Sequence, residues 1–79
     1  MKIKATSNID LGNNIKRIIH DKKLRKADII RQMQLAGIPM TKQRFYKLEN
    51  DQANITADEL VMIAEIVGCD IVDFFRNTE

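Results

Sequence analysis

Thr41-Lys42-Gln43-Arg44-Phe45-Tyr46-Lys47-Leu48-Glu49-Asn50 is the stretch on which the fold turns. Thr41 carries the hydroxyl that an N-cap needs to accept from an orphan backbone N–H. Met40 just before it and Phe45 at the fourth helical position have the spacing of a hydrophobic staple, which fixes where the chain turns into a helix. Phe45 and Leu48, three apart, share one face and point inward. Lys42, Gln43, Arg44, Tyr46 and Lys47 remain for the polar side. A helix built this way rests one narrow stripe on a core and presents long hydrogen-bonding side chains outward.

Working outward, the same staple recurs as Leu24 with Ile29, Ile55 with Leu60, and Cys69 with Phe74. The implied N-caps are Arg25, Thr41, Thr56 and Asp70. Arg25 cannot accept a backbone hydrogen bond, so the helix after it starts less firmly, whereas Thr56-Ala57-Asp58-Glu59 is a full capping box. A first helix begins at Asn8 or Asp10 and ends near Lys22 and Lys23, cations suited to its negative end. Gly68 closes the fourth helix as a left-handed residue, and Gly37 with Pro39 closes the second. Apolar stripes of helical period support the same division: Leu11, Ile15, Ile18 and Ile19; Leu24, Ile29, Ile30 and Met33; Phe45 and Leu48; Leu60, Ile63, Ala64 and Val67. Five helices are expected, at about 9 to 21, 26 to 36, 42 to 50, 57 to 67 and 71 to 76. Only Met1-Lys2-Ile3-Lys4 alternates like a strand, over too short a run to weigh much.

A chain of 79 residues, 44% of them hydrophobic and 30% charged, makes one domain around one modest core. The division expected is an N-terminal arm over residues 1–8 and a helical domain over 9–79. With a single cysteine, Cys69, neither an internal disulfide nor a cysteine-based zinc site can be built. No run approaches the length of a membrane span or a signal-peptide core, so a cytoplasmic protein is expected. The net charge of +2 hides a strong polarity. Residues 1–47 hold twelve Lys or Arg against Asp10, Asp21 and Asp28, and residues 48–79 hold Arg76 against eight acids. The basic half suits a polyanion; the acidic half suits solvent, a second subunit or a protein partner.

Between Leu24 and Glu49 the pattern is helix, turn, helix. In that arrangement the first residues of the second helix reach base edges in the major groove, while the first helix crosses the phosphate backbone. Gln43 suits adenine, and Lys42 or Arg44 suits guanine, each good pair contributing about 1–3 kcal/mol of discrimination. Other chemistry finds no support. His20 stands alone beside Asp21, Cys69 sits at a stapling position, and Met33, Met40 and Met62 are core filler. No catalytic site, metal site or cofactor is expected.

These residues also resemble a known family, the lambda-type phage repressors, which include the xenobiotic-response-element (XRE) helix-turn-helix regulators. The resemblance covers residues 11 to 75. Leu11-Gly12-Asn13-Asn14-Ile15-Lys16-Arg17-Ile18 looks like the family's first helix, Leu24 through Met33 its second, and Thr41 through Asn50, with its Leu-Glu-Asn ending, its recognition helix. Ile55-Thr56, Leu60, Ile63-Ala64, Val67-Gly68-Cys69 and Asp73-Phe74-Phe75 match the rest. The resemblance implies an all-α, five-helix lambda-repressor-like DNA-binding domain. Lys42, Gln43 and Lys47 fall where relatives read bases, Lys26 where a residue touches phosphate or base, and Thr41 at the cap. Arg44 and Tyr46 are adjacent candidates, and Asn50, Gln52 and Asn54 lie in a loop that follows the DNA backbone.

Four positions depart from the family pattern. Gln34 to Ile38 reads as an insertion that lengthens the turn. Lys23 stands where Gly is common, and would be strained by about 1 kcal/mol if left-handed. Arg25 replaces a capping residue. Ile19 replaces an Arg that pairs with the acid corresponding to Glu49. The function expected is that of a transcriptional repressor from a bacterium, phage or mobile element, bound to its operator as a homodimer, with Val72 and Phe75 at the dimer surface. A restriction-modification controller or an antitoxin would carry the same domain. The alternative from another class is a protein-interaction module that keeps the fold without reading DNA.

Overall fold

The computed structural model describes residues 10–76 and the backbone of Lys2–Ile3. Within it, α1 (Leu11–Asp21), α2 (Lys26–Leu35), α3 (Lys42–Glu49) and α4 (Ala57–Val67) form where the apolar periodicity puts them. Asp10 caps α1 by accepting from the Asn13 amide at 3.1 Å, so this helix starts two residues later than the expected residue 9. The second and third helices each stop one residue short of expectation, with Ala36 and Asn50 as their C-caps. Thr41 accepts from the Arg44 amide at 3.1 Å. At α4 both arms of the capping box are made: Thr56 Oγ1 accepts from the Glu59 amide at 3.2 Å, and Glu59 Oε1 from the Thr56 amide at 2.8 Å. Arg25 supplies no side-chain cap to α2.

Two features correct the expected five-helix, all-α architecture. The segment expected as a fifth helix is a 3₁₀ turn, Ile71–Phe75, closed by the Asp73 amide donating to the Asp70 carbonyl at 2.9 Å. Five residues are too few to offset the nucleation of an α-helix, and short pieces of this kind take the tighter i→i+3 pattern. The second correction is a two-stranded antiparallel pair, β1 (Lys2–Ile3) with β2 (Ile55–Thr56), in register Lys2 with Thr56 and Ile3 with Ile55. The partner strand is already fixed, because Ile55 is buried and Thr56 caps α4. Of the N-terminal arm expected over 1–8, only Lys2–Ile3 falls within the described residues.

One core joins the four helices, β2 and the 3₁₀ turn. Leu11, Ile15 and Ile19 of α1, Ile29, Ile30 and Met33 of α2, and Phe45 and Leu48 of α3 meet Leu60, Ile63, Ala64 and Val67 of α4, with Met40, Ile55 and Phe74 from the connections. The staples at Met40 with Phe45 and at Ile55 with Leu60 are fully buried, whereas Leu24 is 38% exposed and clamps α2 more loosely. Lys23 is left-handed, with φ of 57°, as its place in the family pattern implied. Of the inserted residues, Gln34 and Leu35 extend α2, and Gln34 Nε2 donates to the Met40 carbonyl at 2.7 Å, tying the longer turn to the start of α3.

Asn14, which periodicity alone did not single out, is fully buried. Its Nδ2 donates to the carbonyls of Phe74 at 2.9 Å and Arg76 at 2.8 Å, anchoring the C-terminal turn on α1. In the same first turn of α1, a Cβ on Gly12 would lie 2.5 Å from the Glu49 carbonyl oxygen and 2.6 Å from that of Leu48. This close approach seats the C-terminal end of α3 directly on α1.

Candidate nucleic-acid interface

The sequence of α3 separates it into two faces because its apolar residues are only Phe45 and Leu48, both buried in the core. Lys42, Gln43, Tyr46 and Lys47 are consequently turned out, Tyr46 with 62% of its surface exposed. With Gln52 from the following loop they line a shallow depression of about 590 Å³. Five residues singled out from the sequence are thus gathered on one exposed patch, and Thr41 stands at its leading edge as the cap.

The loop behind this patch folds back on the helix. Asn50 Nδ2 donates to the Tyr46 carbonyl at 2.8 Å, the Gln52 amide donates to the Lys47 carbonyl at 2.8 Å, and Asp51 is left-handed with φ of 55°. Asp51 Oδ1 in turn accepts from the Gly12 amide at 3.1 Å. Burial, and then the neighbouring Asp10 carboxyl, raise the Asp51 pKa above its ordinary value.

Arg44 holds a different place from its neighbours. Its Nε donates to Glu59 Oε2 at 2.7 Å, and its Nη2 to Glu59 Oε1 at 2.8 Å and to the Asn54 carbonyl at 3.0 Å. This bidentate fork locks α3 to the beginning of α4, and it engages Asn54 through the backbone. Burial opposes the charge on Glu59, but hydrogen bonds from Arg44 and from the Thr56 amide outweigh it and hold the carboxyl below its ordinary range. Glu59 acts here as more than a capping residue. Its place in the capping box was readable, but its partner, fifteen residues away in sequence, was not.

Lys26 also has an internal partner. Its Nζ lies 2.9 Å from Glu49 Oε1, with the lysine side chain half-exposed and the glutamate side chain 2% exposed. Glu49 therefore takes its cation from α2, since α1 offers the buried, apolar Ile19. An ammonium has three donors, so Lys26 keeps capacity for a second acceptor. In the 3₁₀ turn, Val72 is 61% exposed and Phe75 is partly buried against the core.

Together α2 and α3 form a helix-turn-helix, seated on α1 and α4, with a polar outward face on α3. A family model described as the Cro/C1-type helix-turn-helix DNA-binding domain matches residues 14–77. The chain belongs to that family. Comparison with curated proteins and with solved structures found no match. As a Cro/C1-type domain it is a DNA-binding transcription regulator, and α3 occupies the recognition-helix position. Among the described residues of this Cro/C1-type domain, no group of three His, Cys, Asp or Glu is arranged to hold a metal ion. No helix among them is long and apolar enough to cross a membrane.

Proposed function

We propose that this domain represses transcription in a bacterium, phage or mobile element by laying α3 in the major groove of a specific operator. The observation that carries this reading is the exposed patch of Lys42, Gln43, Tyr46, Lys47 and Gln52 on a helix whose opposite face is locked in the core. Gln43 reads adenine through its amide, and Lys42 donates to guanine O6 and N7. Lys47 and Tyr46 contact the adjoining bases and backbone. Thr41, Asn50, Gln52, Asn54 and the half-exposed Lys26 meet phosphates at the two ends of the helix. Arg44 works through Glu59 by fixing the angle of α3, a positioning role. Val72 and Phe75 join two copies, so that paired recognition helices meet half-sites roughly 34–36 Å apart.

The test is binding of the purified protein to DNA from its own promoter region and to random duplex, at several salt concentrations. Footprinted binding should weaken steeply with salt, by a log–log slope of about −0.9 per phosphate neutralised. Gln43→Ala and Lys42→Ala should each remove about 1–3 kcal/mol of discrimination. Weak binding that ignores sequence and both substitutions would assign the domain to a protein partner instead. For the dimer, Phe75→Ala should lower the sedimentation mass and the operator affinity together; if neither moves, the joining surface lies elsewhere.

A further inference from the structure

Glu49 is a buried charge that base reading leaves unused. Its side chain is 2% exposed, it ends α3 where the helix presents its negative pole, and among the described residues its Oε2 has no hydrogen-bond partner. Each of these raises the cost of a carboxylate. Its cation is Lys26 Nζ at 2.9 Å, and Lys26 opens α2, where a positive charge is likewise disfavoured. A pair of this kind contributes little to folding, because taking the carboxylate out of water offsets the attraction. Its position gives it another use. Lys26 shares one cleft with Lys42, and Lys42 also lines the depression on the outer face of α3, so the pair stands beside the reading patch. The Lys26 side chain is half-exposed, and its ammonium has donors left for an acceptor outside the protein.

We infer that Glu49 is a positioning residue for DNA binding: its carboxylate holds the Lys26 ammonium so that the ammonium bridges Glu49 Oε1 and one backbone phosphate of the operator. The inference rests on the DNA-reading function proposed above. Two consequences separate it from plain attraction between a lysine and DNA. A free lysine stem loses its rotamers when it binds, whereas Lys26, held at 2.9 Å, has already given up much of that freedom. Glu49 also offsets the charge of Lys26, so the pair adds little pull on a duplex bound at random. The bridge forms only with α3 seated in its groove, because Glu49 belongs to that helix. Glu49 thereby favours the operator over other DNA.

The experiment is a scan of operator duplexes, each with one neutral methylphosphonate in place of a phosphate, against the wild type, Glu49→Gln, Lys26→Met and the double variant Lys26→Met, Glu49→Leu. The double variant leaves no buried charge alone, so a folded protein without the carboxylate is measured even if Glu49→Gln unfolds. In the wild type the substitution at the bridged phosphate should cost at least about fivefold in affinity, and all three variants should be insensitive at that position. Glu49→Gln should bind random duplex no more weakly than the wild type, because it raises the net charge of +2 by one, while its operator affinity falls. The double variant should bind the operator no more weakly than Lys26→Met, since Glu49 acts through Lys26. Wild-type sensitivity retained at every phosphate by Glu49→Gln or the double variant, or equal loss of operator and random binding in Glu49→Gln, would overturn the positioning role. Binding by the wild type that ignores sequence would sink the DNA-reading function instead. In that case ¹⁵N relaxation of the Lys26 ammonium in the free protein still tests the hold: its order should fall in Glu49→Gln, and unchanged order would overturn it.

Discussion

Arg44→Ala separates the two roles an arginine at the third position of a recognition helix can have. The Glu59 side chain is only 8% exposed, and the substitution leaves it with the Thr56 amide as its remaining hydrogen-bond donor among the described residues. Removing one partner of a fully buried ion pair costs about 3–5 kcal/mol. Arg44 is itself about one-third exposed, so solvent reaches the vacated side and the cost falls to about 2–3 kcal/mol. In a domain of this size that lowers the melting temperature by roughly 10–20 °C, read by circular dichroism or calorimetry. The double variant Arg44→Ala, Glu59→Gln should cost less than the sum of its parts, because no buried charge is left alone.

The pH dependence of the same variant gives an independent reading. Glu59 titrates below its ordinary value in the fold. Its stabilisation is therefore complete above about pH 4.5 and is lost as the pH falls through the lower folded value. Without Arg44 the main force holding that carboxyl down is gone while burial still pushes it up, so this acid-side loss should flatten. The positioning role would be refuted by an Arg44→Ala protein as stable as the wild type, with an unchanged acid limb, that had lost preference at one base pair. Arg44 would then be a reader, and the Glu59 fork incidental.

Three further outcomes follow from the geometry. Gly12→Ala should destabilise by about 1–3 kcal/mol in urea titrations, since the new methyl meets backbone carbonyls of Leu48 and Glu49 that cannot rotate away; it should also weaken DNA binding by tilting α3. Asp51→Asn should stabilise by about 0.5 kcal/mol at neutral pH. It removes repulsion from Asp10, keeps an acceptor for the Gly12 amide, and suits a left-handed residue; because the Asp51 pKa is raised in the fold, the gain should shrink as acid protonates the wild-type carboxyl. Gln43→Lys should alter the preferred base at one operator position while leaving the melting temperature within a few degrees, because its exposed side chain is outside the core.

What the sequence made legible was whatever is decided within one turn of chain. Thr41 and Thr56 act on amides three residues away, and Met40 and Ile55 on side chains five residues away, so these helix starts could be placed from spacing alone. The same local rules misled at residues 71–75, because Asp70 and Phe74 suit an α-helix and a 3₁₀ turn alike and only length separates them. Pairing between distant segments stayed hidden. Nothing local announces that Lys2–Ile3 finds Ile55–Thr56, that Asn14 reaches Phe74, or that Arg44 turns toward Glu59 instead of outward. For the candidate site, which residues share the outer face of α3 followed from period, whereas the internal partners of Arg44 and Lys26 depended on helix packing.

Those internal partners explain how so short a helix can serve as a rigid reading head. Eight residues cannot hold a helix in water by propensity alone, so α3 depends on its neighbours. Each of the other helices restrains it by a different means: α4 through Glu59 on Arg44, α2 through Lys26 on Glu49, and α1 through the close approach of Gly12 to the carbonyls of Leu48 and Glu49. The restraints act near its start and at its end, and they use polar groups directed inward. Lys42, Gln43 and Lys47 are left exposed between them. Orientation thus falls on Arg44 and Glu49 of α3 with Gly12 of α1, and the readout proposed above falls on other side chains of α3, so under that proposal base preference can change at the exposed positions while the angle at which α3 is presented stays set.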